Sequence, residues 1–424
     1  MLQRFRSALQ AFTKNTETSG VSSPASWLTS LFGGGPTASG RLVSPSSALE
    51  ATAALACVIV ISQDIAKIPA YIYDRRTLEM QVNHPVHRLL QRRPNGWQTR
   101  YTHRQFLMGQ ILTRGNAYSV KIYDQRGRLA ELVPVPSDYM TLYESPAGDL
   151  FYLLSIKGLF LPAQLEPITS EHGLWIPAEY VVHHRGLSLD GIRGVSVLTY
   201  AREAVGLSLA TEEHGARMFG NGAQVAGVLE SDQTLTTPAI NKLRQQWQEA
   251  YSGLSNAFKT VILESGMKWK QVGMNTDDAQ FLETRQFQVA EIARIFRVPP
   301  SKIAAATQGN RYSNAEMEAQ EYITDCLMPW LEMLEADYES HLLTEEEQGR
   351  YFIQHDLRQL LRADARARAE YFAKARQWGW LNVNEIRRWE NLPGIGPKGD
   401  QYLEPLNMVP VGNERPAEEQ PNNV

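Results

Sequence analysis

Near residue 194 the chain changes rhythm. Between residues 70 and 184 short β-prone runs alternate with turn formers, whereas from Val195 onward long helical periods take over, interrupted by one compact insert. Such a pattern calls for a sheet-containing unit followed by paired helices, an α+β architecture. No internal repeat of fixed period is visible, so a solenoid or propeller is excluded.

In the first part, Ser47 with Glu50 three residues on has the form of a capping box. The apolar run Ala51 to Ile65 behind it predicts a buried helix ending before Pro69. Ala70 to Tyr73 predicts a short strand, and His84 to Leu90 and Arg104 to Thr113 predict helices. Ala117 to Tyr123 alternates, with Tyr118, Val120 and Ile122 on one face, and Asp124-Gln125-Arg126-Gly127 turns it back onto Leu129 to Val133. Tyr139 to Tyr143 and Leu150 to Leu154 flank Ser145-Pro146-Ala147-Gly148 as a second hairpin, and Tyr180 to His184 predicts a further strand.

Val195 to Phe219 predicts one helix of about 25 residues, roughly 37 Å long, with Val197, Ala201, Ala204, Val205 and Leu209 near one face. Gly220-Asn221-Gly222 stops it. A second helix, Gln280 to Arg297, carries Val289, Ile292 and Phe296 and ends at Val298-Pro299-Pro300. The insert between them predicts a strand (Gln224 to Leu229), a helix (Pro238 to Ser252) and two strands (Lys259 to Leu263, Lys268 to Val272). Thr237 is the expected N-cap of its helix, with Pro238 at the first helical position and Ile240, Leu243, Trp247 and Tyr251 as the buried stripe. Ser301 to Tyr312 has no sustained period and is expected to be a loop. Ser313 and Glu316 then form a capping box opening a long helix to about Leu343, kinked at Pro329, because Met328, Leu331 and Leu334 carry the apolar pattern across the proline. Tyr351 to Ile353 predicts a strand, and Asp364 to Trp378 and Asn384 to Trp389 predict helices.

Composition sets the class. Of 424 residues 43% are hydrophobic and 21% charged, ordinary globular usage with room for about two to three folded units. Residues 1 to 40 and 409 to 424 are rich in small polar residues, Gly or Pro and are expected to be a disordered arm and tail. The longest apolar stretch, Ala53 to Ile61, is about nine residues against the roughly twenty of a membrane-spanning helix, and the N-terminus lacks a secretory pattern. Cys57 and Cys326 are too few for a disulfide framework or a four-thiolate zinc site, so a cytosolic setting is expected. A net charge of −4 excludes a surface that grips nucleic acid over its whole extent. Its distribution is uneven: Tyr312 to Gly349 holds eleven acids and no Lys or Arg, whereas Arg362 to Arg376 holds five basic residues and two acids.

The motifs of common chemistries are missing. No phosphate-cradling Gly-Lys-Ser/Thr loop exists, Gly220 to Val225 closes a helix where a dinucleotide fingerprint would open one, and neither a nucleophile elbow nor a His-Glu-x-x-His pair is present. His183 and His184, adjacent on a strand, point to opposite faces and are expected to be structural; His84 and His87 share a helical face without an obvious third ligand. Trp247, Trp269, Trp330, Trp378, Trp380 and Trp389 are expected mostly in cores. No catalytic residue, metal or cofactor is expected.

Five short motifs in order resemble the portal proteins of long-tailed bacteriophages, the head-to-tail connectors, over about residues 45 to 400. They are Arg93-Pro94-Asn95, Gly115-Asn116-Ala117-Tyr118, Val181-Val182-His183-His184-Arg185, Asp190-Gly191-Ile192-Arg193-Gly194-Val195-Ser196 and Ile292-Ala293-Arg294-Ile295-Phe296-Arg297-Val298-Pro299-Pro300. The resemblance implies a portal fold: wing (41–194), stem helices (195–222 and 276–300), small α/β clip (223–275), tunnel loop (301–313), long kinked helix with a return to the wing (314–361) and helical crown (362–408). It implies a homo-oligomeric ring, of about twelve copies, at the capsid vertex of the virion, assembled in the host cytoplasm and passing double-stranded DNA during packaging and ejection. Partners would be the terminase large subunit, a head-tail adaptor and the major capsid protein, with no membrane contact. Lys302, Gln308, Asn310, Arg311 and Tyr312 would line the channel with weak, sequence-independent contacts. Lys242, Arg244, Gln245, Gln248, Glu249, Lys268 and Lys270 of the clip would meet the terminase or adaptor. Part of the run Glu316 to Glu339 is expected to face the channel or balance Arg362 to Arg376, because a strongly basic wall would hold DNA in place. The competing reading is a cytosolic metal-dependent α+β hydrolase using His172, Glu179 and His183.

Overall fold

The computed structural model describes residues 37–39, 43–145, 148–155, 169–170, 173–220, 227–231, 236–238, 240–242, 245, 268–271, 278–303, 315–357, 365–390 and 392–403. The expected arm and tail lie almost wholly outside these, as do the strand expected at 259–263, most of the helix expected at 238–252 and the residues 304–314. The chain divides into two units, Met1–His355 and Asp356–Val424.

In the first unit the described elements run α1 (Thr52–Lys67), β1 (Ala70–Asp74), α2 (Pro85–Gln91), α3 (Arg100–Arg114), β2 (Asn116–Tyr123), β3 (Leu129–Val135), β4 (Met140–Glu144), β5 (Leu150–Leu154), β6 (Thr169–Ser170), β7 (Gly173–Pro177) and β8 (Val181–Arg185). They continue with α4 (Val197–Tyr200), α5 (Arg202–Gly220), β9 (Gly227–Glu230), β10 (Lys268–Gln271), α6 (Asp278–Phe296), α7 (Ala315–Glu321), a π-helical turn (Tyr322–Leu327), α8 (Met328–Leu342), α9 (Glu345–Gln348) and β11 (Tyr351–His355). The strands form antiparallel sheets β3-β2-β8 and β4-β5-β7-β6 and the pairs β1-β11 and β9-β10.

The two larger sheets enclose one apolar cluster. Tyr118, Val120, Ile122, Val133, Val135 and Val181 from one meet Met140, Leu142, Tyr152, Leu154, Leu174 and Ile176 from the other. Strand β2 has Tyr118, Val120 and Ile122 on one face, as its alternation predicts, but Ala117, Ser119 and Lys121 on the other are buried too. The reason is a third layer. Helix α3 packs on that side, where Ser119 Oγ lies 3.2 Å from His103 Nε2, and α8 reaches it as well, since Lys121 Nζ donates to the His341 carbonyl at 2.8 Å. Buried on both faces, β2 is the central strand of its sheet.

Several local expectations change. Ser47 does not cap α1: its Oγ accepts from Ser44 N at 2.8 Å, residues 47–50 form a separate 3-10 turn, and Ala51 in extended conformation precedes α1 without a side-chain cap. The helix expected at 195–219 is interrupted at Ala201, whose ψ of 9° leaves the helical range, and starts with Ser196 Oγ accepting from Thr199 N. The strand β7 was not anticipated. In the insert, the helical turn begins at Thr237 and not after it, with Ile240 N bonded to the Thr236 carbonyl, and Ile240 is 41% exposed instead of lying in a buried stripe. Around Pro329 the helix continues from 315 to 342, and the irregularity falls upstream: Met328 N bonds the Ile323 carbonyl, five residues back. Proline offers no N–H and its ring crowds the preceding turn, so a widened turn just before it accommodates the residue without ending the helix.

In the second unit α10 (Ala365–Gln377) and α11 (Val383–Trp389) are described. Phe372 and Trp389 rings lie 5.9 Å apart and Arg368 pairs with Glu390 at 3.0 Å. Asn382 and Glu385 cap α11 reciprocally. Trp378 and Trp380, expected in a core, are 45% and 66% exposed, because both flank the turn that closes α10. Among the described residues no helix is long and apolar enough to cross a membrane.

Candidate functional site

Three of the five sequence motifs converge where the sheet hands over to α4. Helix α3 ends at Gly115 in the left-handed region (φ +80°), which a residue with a Cβ resists. A Cβ there would lie 2.3 Å from the Val195 backbone, and one on Gly194 would lie 1.9 Å from the Gly115 carbonyl, so the two segments touch backbone to backbone. Asn116 fastens them: its Nδ2 donates to the Gly194 carbonyl at 2.7 Å and its Oδ1 accepts from Gly194 N at 2.8 Å. Gly186 N reaches the Gly115 carbonyl at 2.8 Å and Ser196 Oγ reaches the Thr113 carbonyl at 2.6 Å. The Asp190 carboxylate accepts from Ile192 N, Arg193 N and Ser188 Oγ, and these bonds hold its pKa below the usual range.

His183 completes this joint and settles the histidine question. Its Nδ1 accepts from Tyr152 OH at 3.0 Å and from Arg185 Nε at 3.3 Å, leaving Nε2–H to donate to Asn116 Oδ1 at 2.9 Å. Burial, with Arg185 and His184 adding, pushes its pKa down to about 2, so the ring is neutral. Both nitrogens are committed to protein groups, and Glu179 is exposed on a separate 3-10 turn, so the hydrolase reading built on His172, Glu179 and His183 fails; His172 lies outside the described residues. His184 points the other way, to Asp337 at 2.8 Å, as adjacent strand positions require. His84 caps α2 while His87 stacks on Tyr71, so these two do not converge. Among the described residues no group of three His, Cys, Asp or Glu could hold a metal ion.

The fifth motif builds the base of the expected channel segment. After α6, Arg297 takes φ +55° and Val298 N bonds the Ala293 carbonyl, and the prolines then lead into a 3-10 turn, Pro300–Ile303. Ser301 Oγ donates to Glu318 at 3.0 Å. Lys302 Nζ sits 4.9 Å from the centre of the Tyr322 ring, whose hydroxyl donates to Asp64 of α1 at 3.0 Å. Cys326 Sγ lies 3.5 Å from the Phe296 carbonyl, and burial raises both thiols, Cys57 and Cys326, to about 12, which leaves them unreactive. Lys302 is thus tied to this base by an aromatic ring. Gln308, Asn310, Arg311 and Tyr312 lie outside the described residues.

Of the expected docking residues, Lys242, Gln245 and Lys268 are exposed, and Lys270 stands in β10 opposite Val228; Arg244, Gln248 and Glu249 lie outside the described residues. Part of the acidic run is engaged within the first unit. Glu335 accepts from His355 N and Nδ1, Glu339 from Arg75 and Ile353 N, and Glu347 meets His84, so these acids serve groups of the first unit. Neither the run's length nor its sign signals these partners. Arg104, only 2% exposed, carries no local signal of its structural role; it donates to the Ile68 and Leu90 carbonyls at the ends of α1 and α2.

A sequence model of the family described as phage portal protein matches residues 52–391. The chain belongs to the phage portal protein family. It is 31% identical over 390 residues to the probable portal protein of Streptomyces phage phiC31, covering 90% of this chain and 83% of that one. It is 26% identical to the portal protein of Enterobacteria phage HK97, covering 87% and 84%. Among solved structures, an HK97-family phage portal protein from Corynebacterium diphtheriae aligns with a TM-score of 0.55 at 18% identity, covering 76% of this chain and 99% of that one. A chain from the neck of an empty gene transfer agent particle aligns with a TM-score of 0.55 at 24% identity, covering 82% and 94%. At these identities the structures establish the portal fold. All five motifs lie inside the matched range, and in this portal protein the first four are joints of the scaffold: Asn95, too, spends its side chain on Gln98, Trp97 N and the Leu132 carbonyl.

Proposed function

We propose that copies of this chain close into a ring at one vertex of a phage capsid and pass double-stranded DNA through its centre. The observation that carries the reading is the family match across 52–391, which takes in both helical runs and the insert between them. In that reading residues 41–194 form the wing, 195–222 and 276–300 the stem, 223–275 the clip, 301–313 the tunnel loop, 314–361 the long helix and its return, and 362–408 the crown. The ring is of about twelve copies, a closed cyclic assembly of identical chains. It holds to the major capsid protein, and its clip serves first the terminase large subunit and then a head-tail adaptor, with Lys242, Arg244, Gln245, Gln248, Glu249, Lys268 and Lys270 as contacts.

Its role is structural, without chemistry of its own. Gln308, Asn310, Arg311 and Tyr312 touch passing phosphates weakly, while Lys302 braces the loop through Tyr322. Electron microscopy of the purified full-length chain tests the proposal: end-on views with a central hole are expected, and a stable monomer at micromolar concentration overturns it. The ring should also bind duplex DNA weakly; tight, salt-sensitive binding contradicts the low-affinity wall.

A further inference from the structure

Four of the nine histidines, His103, His184, His341 and His355, gather around the seam where α3 and α8 cover the three-stranded sheet and β11, while His183 faces Tyr152 on the other side of β8. From β8, His184 meets Asp337 at 2.8 Å and sets its ring edge-on to Tyr338 at 5.2 Å. From β11, His355 meets Glu335 at 2.9 Å. From β2, Lys121 Nζ bonds the His341 carbonyl, and Glu179 faces that lysine. From α3, His103 meets Ser119 and faces His184, while Arg104 faces Tyr338 and His355. Arg185, at the end of β8, faces His183 and His341.

The fixed charges of this seam are Arg104, Lys121, Arg185 and Arg75 against Glu335, Asp337, Glu339 and Glu179. Asp337 and Glu335 are already bonded to His184 and His355, so a proton on His103 or His341 meets no carboxylate at hydrogen-bond distance among the described residues. His184 Nε2 and His355 Nε2 are buried and have no hydrogen-bond partner among the described residues, so a proton on either would be a buried, unmatched donor. Burial, the leading cause in each case, pushes His103 down to about 3 and His341 to about 4, and lowers His355.

We propose that this seam is an acid-sensitive latch: on taking up protons it lets α8 part from β8 and β11 while the β4-β5-β7 sheet stays folded. In the closed seam burial holds His103, His341 and His355 below their ordinary value of about 6.5, and in the opened seam they return toward it. The opened form then binds more protons, so opening is favoured as pH falls below about 6.5, by up to about tenfold per pH unit for each histidine. Above that value both forms are neutral and the effect vanishes. For His341 the gain continues down to about 4.

Hydrogen exchange on the full-length protein between pH 7 and pH 5, corrected for the intrinsic pH dependence of exchange, tests this. Amides of 328–342 should lose protection by about a hundredfold or more, whereas those of β4, β5 and β7, which hold no histidine, should change by less than about threefold. H341Q or H103Q should flatten the 328–342 profile by up to about tenfold per pH unit. Loss of protection in both regions with the same slope, or none in 328–342, overturns the proposal. If a variant is misfolded at pH 7, the unmodified protein's profile decides alone.

Discussion

Along the helical stretch 315–342 the carboxylates at the two ends differ in kind. In α8, Glu335, Asp337 and Glu339 are held by His355, His184 and Arg75. At the other end Glu321 and Asp325 are exposed, and Glu318 receives a hydroxyl from Ser301. By sequence these acids belong to one run of a single sign, yet one half is packing and the other half is open to solvent. A charge run reports how many charges a helix bears, and only the neighbouring elements decide whether they are structural. In α8 those neighbours are β8 and β11, which bring histidines to the helix; α7 receives the Ser301 hydroxyl from the turn before it.

The largest effect expected from breaking the packed half belongs to Glu335→Ala. That carboxylate accepts from both the backbone N and the ring of His355, itself buried, so the substitution strands two donors and should destabilise the first unit by about 2–4 kcal/mol. Urea unfolding followed by fluorescence measures it, and a loss below about 0.5 kcal/mol would show that α8 does not depend on its acids. Asp337→Asn sharpens the same point. An amide oxygen can still accept from His184 Nδ1 while the charge is gone, so the cost should fall to about 1 kcal/mol. A cost as large as that of Glu335→Ala would mean that the charge on Asp337, and not only its acceptor oxygen, holds His184 in place.

Between the two halves stands Lys302, whose ammonium lies over Tyr322. Lys302→Met keeps the length of the side chain and removes the cation, with an expected loss of about 0.5–1 kcal/mol. If Lys302 serves only as a brace, the duplex affinity of the proposed ring should hardly change; a clear drop in affinity would support a place for this lysine on the proposed channel wall.

The order of strands and helices was legible because turn formers and period changes mark it: Asp124 to Gly127 makes its turn, with Gly127 N on the Asp124 carbonyl, and Pro69 and Pro299 end the helices before them. Strand β7, Gly173–Pro177, was not, because Leu174, Trp175 and Ile176 are all buried and show no alternation. Ser47 and Glu50 carried a capping pattern that Ser44 diverted, a competition between local hydroxyls that spacing cannot resolve. At the joint of sheet and α4 the motifs pointed to the correct residues but not to their role. The mutual bonds of Asn116 and Gly194, residues 78 positions apart, exist only once the fold is formed. The partners of the α8 acids were illegible for the same reason: His184 is 153 positions from Asp337 and nothing local to either names the other.

The smallest effect on stability, and the sharpest test of the comparison, belongs to the exposed half. Glu321→Gln with Asp325→Asn removes two exposed carboxylates for which no hydrogen-bond partner is seen among the described residues, so the unfolding midpoint should move by no more than about 0.5 kcal/mol. DNA should respond where the fold does not. If these acids face the channel of the proposed ring, neutralising two of them in every copy lowers a repulsion multiplied around it, and duplex affinity should rise at low salt and return to that of the unmodified ring as salt screens the wall. Fluorescence anisotropy of a labelled duplex across a salt series reads both limits. Unchanged affinity at every salt concentration would place Glu321 and Asp325 away from the duplex and leave the low-affinity wall to be sought elsewhere. A stability loss like that of Glu335→Ala would instead dissolve the distinction between the two halves, because it would require a partner for these acids that only the assembled ring supplies.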